Sequence, residues 1–446
     1  MTYKAENTTP NDRRQNTTNY DHPQETNLLN IHRAMEYNAL GQPVLRTTLG
    51  GAETSQRDAF GRLRMATPYT LFDTFHRYQD NGKVTTYTAG GGTTTHNANA
   101  SVINCSVGTA SGDAVYRETS RVFAYQPGKS LQVLITFVMA PGKTNLRQRI
   151  GYFDINNGIY LQQNGTQLSI VKRSSSSGTL VETVVNQADW NVDPLNGSGS
   201  RTRVIDTTKA QIFWTDIEWL GVGCVRCGFV IDGRFIQVHQ FNHSNIVDLT
   251  YMGTACLPLR LEVENTGPTA SASTYKQICA TVISEGGYEL RGRPRSVGHT
   301  IAAPYTMSSP ATVYPLISLR LKADRPGAIV IPRNFSFSVQ AAANFRWVLI
   351  NGATTSGGTW IDAGSGDSSV EYNLTATSLS GGNTLEMGYV MASNQSSISP
   401  SLENYPFFIQ LERNTFTGTM YEFVLAAVTD GNNQKVHASV NWEEVT

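Results

Sequence analysis

Residues 158–171 read Gly158-Ile-Tyr-Leu-Gln-Gln-Asn164-Gly165-Thr-Gln-Leu-Ser-Ile-Val171. Two short runs flank Asn-Gly, a pair that tolerates the positive φ angles of a two-residue turn. The stretch predicts a β-hairpin with a type I′ turn at Asn164-Gly165. The same logic applies to Cys227-Gly-Phe-Val-Ile231, Asp232-Gly233 and Arg234-Phe-Ile-Gln-Val-His239. Working outward, Gln211-Ile-Phe-Trp-Thr-Asp-Ile-Glu-Trp-Leu220 alternates with period two. Ser130-Leu-Gln-Val-Leu-Ile-Thr-Phe-Val-Met139 is apolar enough for a strand buried on both faces. Residues 257–263 and 278–283 add two more strands. Many strands at short spacing, with Gly and Asn turns, predict a sandwich or jelly roll.

The flanks give the domain plan. Residues 1–57 are read as an N-terminal arm, polar and extended at first, because a segment rich in Asn, Thr, Asp and Gln buries too little surface to fold alone. One short helix is expected in it. Leu28, Ile31, Met35 and Leu40 lie on one face, Thr26 or Asn27 caps the start, and Gly41 with Pro43 closes it. Those four apolar residues are the expected assembly contacts of the arm. A jelly-roll β-sandwich is placed at 58–290. Arg291-Gly-Arg-Pro-Arg-Ser-Val-Gly-His299 opens a linker over 291–312, being basic, Gly/Pro-rich and without apolar period. A second, smaller β-sandwich is placed at 313–446, so the fold class is mainly β.

Composition narrows the function. The chain has 446 residues, with 35 Lys+Arg against 35 Asp+Glu, and 16% are charged. That is below the ~25% of ordinary soluble domains. A neutral total leaves nothing to offset phosphate, so no nucleic-acid partner is expected. The opening lacks the apolar core of a secretory signal, and no run of about 18 apolar residues occurs, so membrane insertion is not expected. Five scattered cysteines, an odd number, are read as free thiols in a reducing compartment.

Three constellations invite a chemical reading. Cys224-Val-Arg-Cys227 has half of a zinc site, but residues three apart on a strand point to opposite faces, and no second pair completes four ligands. His239 and His243 would stand about 13 Å apart on a straight strand, too far to share one ion. Asp216 and Glu218, spaced by two, would share a strand face about 7 Å apart. Their segment, Trp214-Thr-Asp-Ile-Glu-Trp-Leu-Gly221, resembles the E-x-D-x-E strand of family-16-like retaining glucanases. That resemblance implies a concanavalin-like jelly roll. Trp214 stands at the nucleophile position, and an indole cannot replace a carboxylate there. Neither catalytic residues nor a metal or other cofactor are therefore expected. Trp214, Asp216, Glu218 and Trp219 remain candidate glycan contacts, with Trp190 and Trp360 as further stacking surfaces. The cluster Arg291, Arg293 and Arg295 is read as a solvated linker.

Longer strings carry a second resemblance. They are Arg57-Asp-Ala-Phe-Gly-Arg-Leu-Arg64, Pro68-Tyr-Thr-Leu-Phe-Asp73, Tyr116-Arg-Glu-Thr-Ser-Arg-Val-Phe-Ala-Tyr-Gln-Pro-Gly-Lys-Ser130, Lys143-Thr-Asn-Leu-Arg-Gln-Arg-Ile-Gly-Tyr-Phe153, the segment from Thr208 to Gly221, and the ending from Phe408 to Glu444. Over roughly residues 57–446 the chain resembles virion structural proteins of marine tailed bacteriophages, those of cyanobacteria included. The resemblance implies a non-enzymatic virion component, assembled in the bacterial host cytoplasm. A decoration or fibre-type role on head or tail is expected, with docking through the arm. Expected partners are capsid, portal-neck or tail proteins and further copies in a homotrimer, with a host surface glycan as the partner under the lectin reading. A receptor-binding lectin and a capsule-degrading glycosidase using Asp216 and Glu218 are the competing readings.

Overall fold

The computed structural model describes residues 67–445 apart from 200–202, 341–342, 365, 391–396 and 399–408, together with two short strands nearer the N-terminus. Thr67–Thr446 is one compact unit and Met1–Ala66 another.

Two antiparallel sheets of the first sandwich enclose one apolar core. A seven-stranded sheet runs in the order Val181–Asn186, Gln167–Ser174, Gly158–Asn164, Leu146–Phe153, Leu259–Asn265, Ala114–Thr119, Val84–Ala89. Opposite it, an eight-stranded sheet orders Arg234–Phe241, Val225–Ile231, Gln211–Ile217, Leu131–Val138, Ser273–Ser284, Val102–Val107 and Thr93–Asn97, with Tyr69–Phe75 also paired to Ser273–Ser284. Neighbours such as Leu146–Phe153 and Leu259–Asn265 are distant in the chain, as a jelly roll requires. Period-two alternation builds the core: Leu131, Val133, Ile135 and Phe137 are buried, while the residues between them are half-buried. Each large apolar side chain so enclosed contributes about 1.5–3 kcal/mol.

The hairpins differ in detail from expectation. In the first, Asn164 pairs with Gln167, so the turn residues are Gly165 and Thr166. Positive φ is confined to Gly165 at 62°, the pattern of a type II′ turn. Glycine's freedom moves the turn one residue along, and Asn164 stays in the ladder. In the second, Asp232 (53°) and Gly233 (72°) both take positive φ between paired Ile231 and Arg234, as type I′ demands.

A smaller sandwich follows, of five- and six-stranded sheets around a separate core that includes Phe335, Phe337, Phe345, Trp347 and Trp442. The linker expected at 291–312 contains two strands of the second sandwich. Arg293–Gly298 pairs with Gln434–Val445 from Arg293 opposite Glu444 to Gly298 opposite Ser439, and Tyr305–Met307 pairs further along the same strand. Arginines and Pro294 on a sheet edge look like linker composition, because edge strands favour such residues.

The expected helix is corrected as well. Met35–Tyr37 is a strand, antiparallel to Pro43–Leu45. A helix of about a dozen residues is marginal without a packing partner, and Pro43 is tolerated as the first residue of a strand. Leu28, Ile31 and Leu40 lie outside the described residues. Among the described residues no helix is long and apolar enough to cross a membrane.

Candidate functional site

The strand Gln211–Ile217 sends Phe213 and Ile217 into the core, leaving Trp214 and Asp216 on the outward face. Asp216 stands opposite Arg226 on the next strand and is ion-paired with it. Burial and the Asp216 charge together push the Glu285 carboxyl up. Glu218 lies past the strand end, exposed, and its carboxylate accepts the Cys224 amide at 3.3 Å. The two carboxylates thus have different partners and different exposure.

The tryptophans are less available than expected. Trp214 is only 5% exposed, pressed on Gly228 and set edge-on to Phe235. Trp190 is buried, with its indole donating to the Val185 carbonyl. These two rings are therefore not stacking surfaces. Trp219 is half-buried, donates to the Met252 carbonyl at 3.1 Å and meets Tyr125 edge-on. Trp360 is half-buried beneath the Arg320 guanidinium, 4.0 Å from its ring centre.

The sulfur and imidazole groups have structural surroundings. All five cysteines are free thiols. Cys227 lies in the core, and burial pushes its thiol up. His243 stacks on Tyr251 with its Nδ1 2.6 Å from the Gly223 carbonyl, whereas His239 Nδ1 accepts the Asn191 amide. Among the described residues no group of three or more His, Cys, Asp or Glu is placed to hold a metal ion.

Period two also puts a charged layer on the outward face of the seven-stranded sheet. Arg149 faces Glu262 across one strand pair, and Arg260 faces Glu118 across the next. Arg149 Nη1 meets Glu262 at 3.1 Å, Arg260 Nε meets the same carboxylate at 2.7 Å, and Arg260 Nη1 meets Glu118 at 2.5 Å. All four side chains are buried. Burial alone would raise the Glu262 carboxyl, but Arg260 and Arg149 outweigh it and hold it below the usual range. Further along, Arg173 and Tyr160 both bond Glu182, and Arg147 and Tyr116 both bond Glu264. Guanidinium planes cover the rings between them: Arg149 and Arg173 lie over Tyr160, and Arg173 and Arg260 over Phe153.

That layer joins the two sandwiches. Gln410, Arg413, Thr415 and Phe416 of the second sandwich lie against the first. Arg413 donates its amide to the Ser120 carbonyl at 2.8 Å and sets its guanidinium 3.6 Å from Glu118, whose carboxylate also accepts Thr415 Oγ1 at 2.5 Å. Phe416 packs near Tyr87 and Tyr116 beneath the Arg260 guanidinium. Ile329 and Ile331 of the second sandwich complete the first core. The sequence reading missed this junction. Its local signal is the alternation of charge in Leu146-Arg-Gln-Arg-Ile150 and Leu259-Arg-Leu-Glu-Val-Glu264.

No protein-family profile matches the chain, and no curated protein matches it. Among solved structures it is similar to a β-glucanase of Bacillus licheniformis, with 10% identity over 49% of this chain and 99% of that one, at a TM-score of 0.30. It is also similar to a protein of unknown function from Shewanella oneidensis MR-1, with 11% identity over 63% and 99% at a TM-score of 0.34. A carbohydrate esterase of the Shiga toxin-encoding bacteriophage phi24B shows 11% identity over 49% and 99% at a TM-score of 0.29.

Proposed function

We propose that this chain is a non-enzymatic structural component of a bacteriophage virion. It is displayed on head or tail as a decoration or fibre-type subunit, docks through its N-terminal arm and assembles as a homotrimer. The observation that carries this reading is the junction at Glu118. Two sandwiches that each have a core are joined by a buried carboxylate serving Arg260, Arg413 and Thr415. Such a cluster stabilises one relative arrangement strongly, because loss of Glu118 takes the ion pair from the buried Arg413 guanidinium. A rigid pair of sandwiches suits a part that transmits shape between neighbours. Residues 116–130 and 143–153, which carry the virion resemblance, contain Glu118 and Arg149 of the same layer.

An inventory of proteins in gradient-purified particles, with light scattering on the isolated chain, tests the proposal. Co-sedimentation with particles and a mass three times that of the 48.8 kDa chain are expected. Absence from particles overturns the virion assignment, and a monomeric mass overturns the trimer.

A further inference from the structure

The loop between Tyr69–Phe75 and Val84–Ala89 is anchored from beneath and displays aromatic rings above. His76 is fully buried, with Nδ1 3.7 Å from Asp80, and His96 Nε2 lies 2.7 Å from the His76 carbonyl. Asp80 meets the buried Arg117 guanidinium at 2.8 Å, and Arg117 is held in turn by Gln277 and Thr86. Asn81 fixes the returning chain, bonding Thr74 and accepting the Lys83 amide. Against this base, Phe75 is 62% exposed and Tyr78 79% exposed, with the Arg77 guanidinium over the Tyr78 ring. Asp73 and Phe75 share the outward strand face.

Asp73, Phe75, Arg77, Tyr78, Gln79 and Lys83 line a cavity of about 310 Å³. That is the lower end of small-ligand sites. Open aromatic faces suit the C–H faces of a sugar ring. Carboxylate, amide, guanidinium and ammonium groups around them suit its hydroxyls. The buried anchor keeps the rings in place before a ligand arrives, so little ordering cost falls on binding.

We propose that this cleft is a saccharide-binding site taking one or two pyranose rings. Tyr78 and Phe75 serve as stacking platforms, and Asp73, Arg77, Gln79 and Lys83 as hydroxyl partners. The site stands apart from Trp214 and Asp216, and it does not depend on the virion assignment.

The test is an array of hexose and hexuronate oligosaccharides probed with the full chain, followed by titration of the strongest glycan. Tyr78→Ala and Phe75→Ala are expected to weaken binding about fivefold to tenfold each, with unfolding midpoints unchanged. Tyr389→Ala, an exposed ring in the other sandwich, is expected to bind as the parent does. Asp80→Asn, which loosens the loop without touching the cleft, is expected to weaken binding without abolishing it. A silent array overturns the proposal. So does glycan binding undiminished in both aromatic variants, or capture of a protein but no glycan through Tyr78.

Discussion

Arg260 Nη1 lies 2.5 Å from Glu118 Oε2, and both side chains are buried. Truncating one partner of such a pair removes its attraction and leaves the other charge without water. Glu118→Ala is expected to lower unfolding free energy by about 3–5 kcal/mol. Glu118→Leu combined with Arg260→Met is expected to cost less than the sum of the single changes. Urea unfolding of the parent, Glu118→Ala, Glu118→Leu, Arg260→Met and the double variant checks this; additive losses would contradict a coupled buried pair.

His76 makes the fold acid-sensitive. Burial, reinforced by Arg117 and His96 and opposed by Asp80, pushes its imidazole down from 6.5 to about 4. In the unfolded chain the ring takes up its proton near 6.5, so between these values the unfolded state holds more protons. The His76 contribution to stability is therefore level above pH 7 and falls as pH drops toward 4, by on the order of 2–3 kcal/mol. His76→Gln is expected to flatten that slope in urea midpoints measured from pH 7.5 to 4.5. An unchanged slope would assign the acid sensitivity to other groups.

Gly228 gives Trp214 its place. A Cβ there would lie 2.0 Å from the Ile236 carbonyl oxygen and 2.8 Å from the indole. Gly228→Ala is expected to destabilise by about 1–3 kcal/mol through overpacking, with a shift in tryptophan emission as the ring is displaced. An unaltered spectrum and melting temperature would mean that this contact is looser than described.

Four of the five thiols separate into two classes. Cys105 and Cys227 are fully buried, and burial pushes Cys105 up to about 12. Cys224 and Cys279 are half-buried. Alkylation at pH 8, read by peptide mass, is expected to label Cys224 and Cys279 first and Cys105 and Cys227 only with global unfolding. Equal labelling rates would contradict a closed first core.

Much of this architecture was legible locally. The strand at Leu131–Val138 and the Asp232-Gly233 turn are properties of a few adjacent residues, and the structure places both, although the strand expected to be buried on both faces alternates buried with half-buried residues. Where pairing partners are distant, local reading failed. Arg149 and Glu262 are separated by 113 positions, and nothing near either one says that they meet. Arg293–Gly298 was misread because an edge strand and a linker share a composition. Trp190 and Trp214 were misread as exposed because the type of a residue does not reveal which groups cover it. The anchored loop at 76–83 was passed over because its anchors, Arg117 and His96, are distant from it in the chain.

The most direct test of the central claim is a symmetric reconstruction of the intact virion. A pair of rigidly joined sandwiches is expected at every symmetry-related position on head or tail, with Arg413 and Phe416 against the first sandwich. A reconstruction that accounts for all surface density without this chain would contradict the claim.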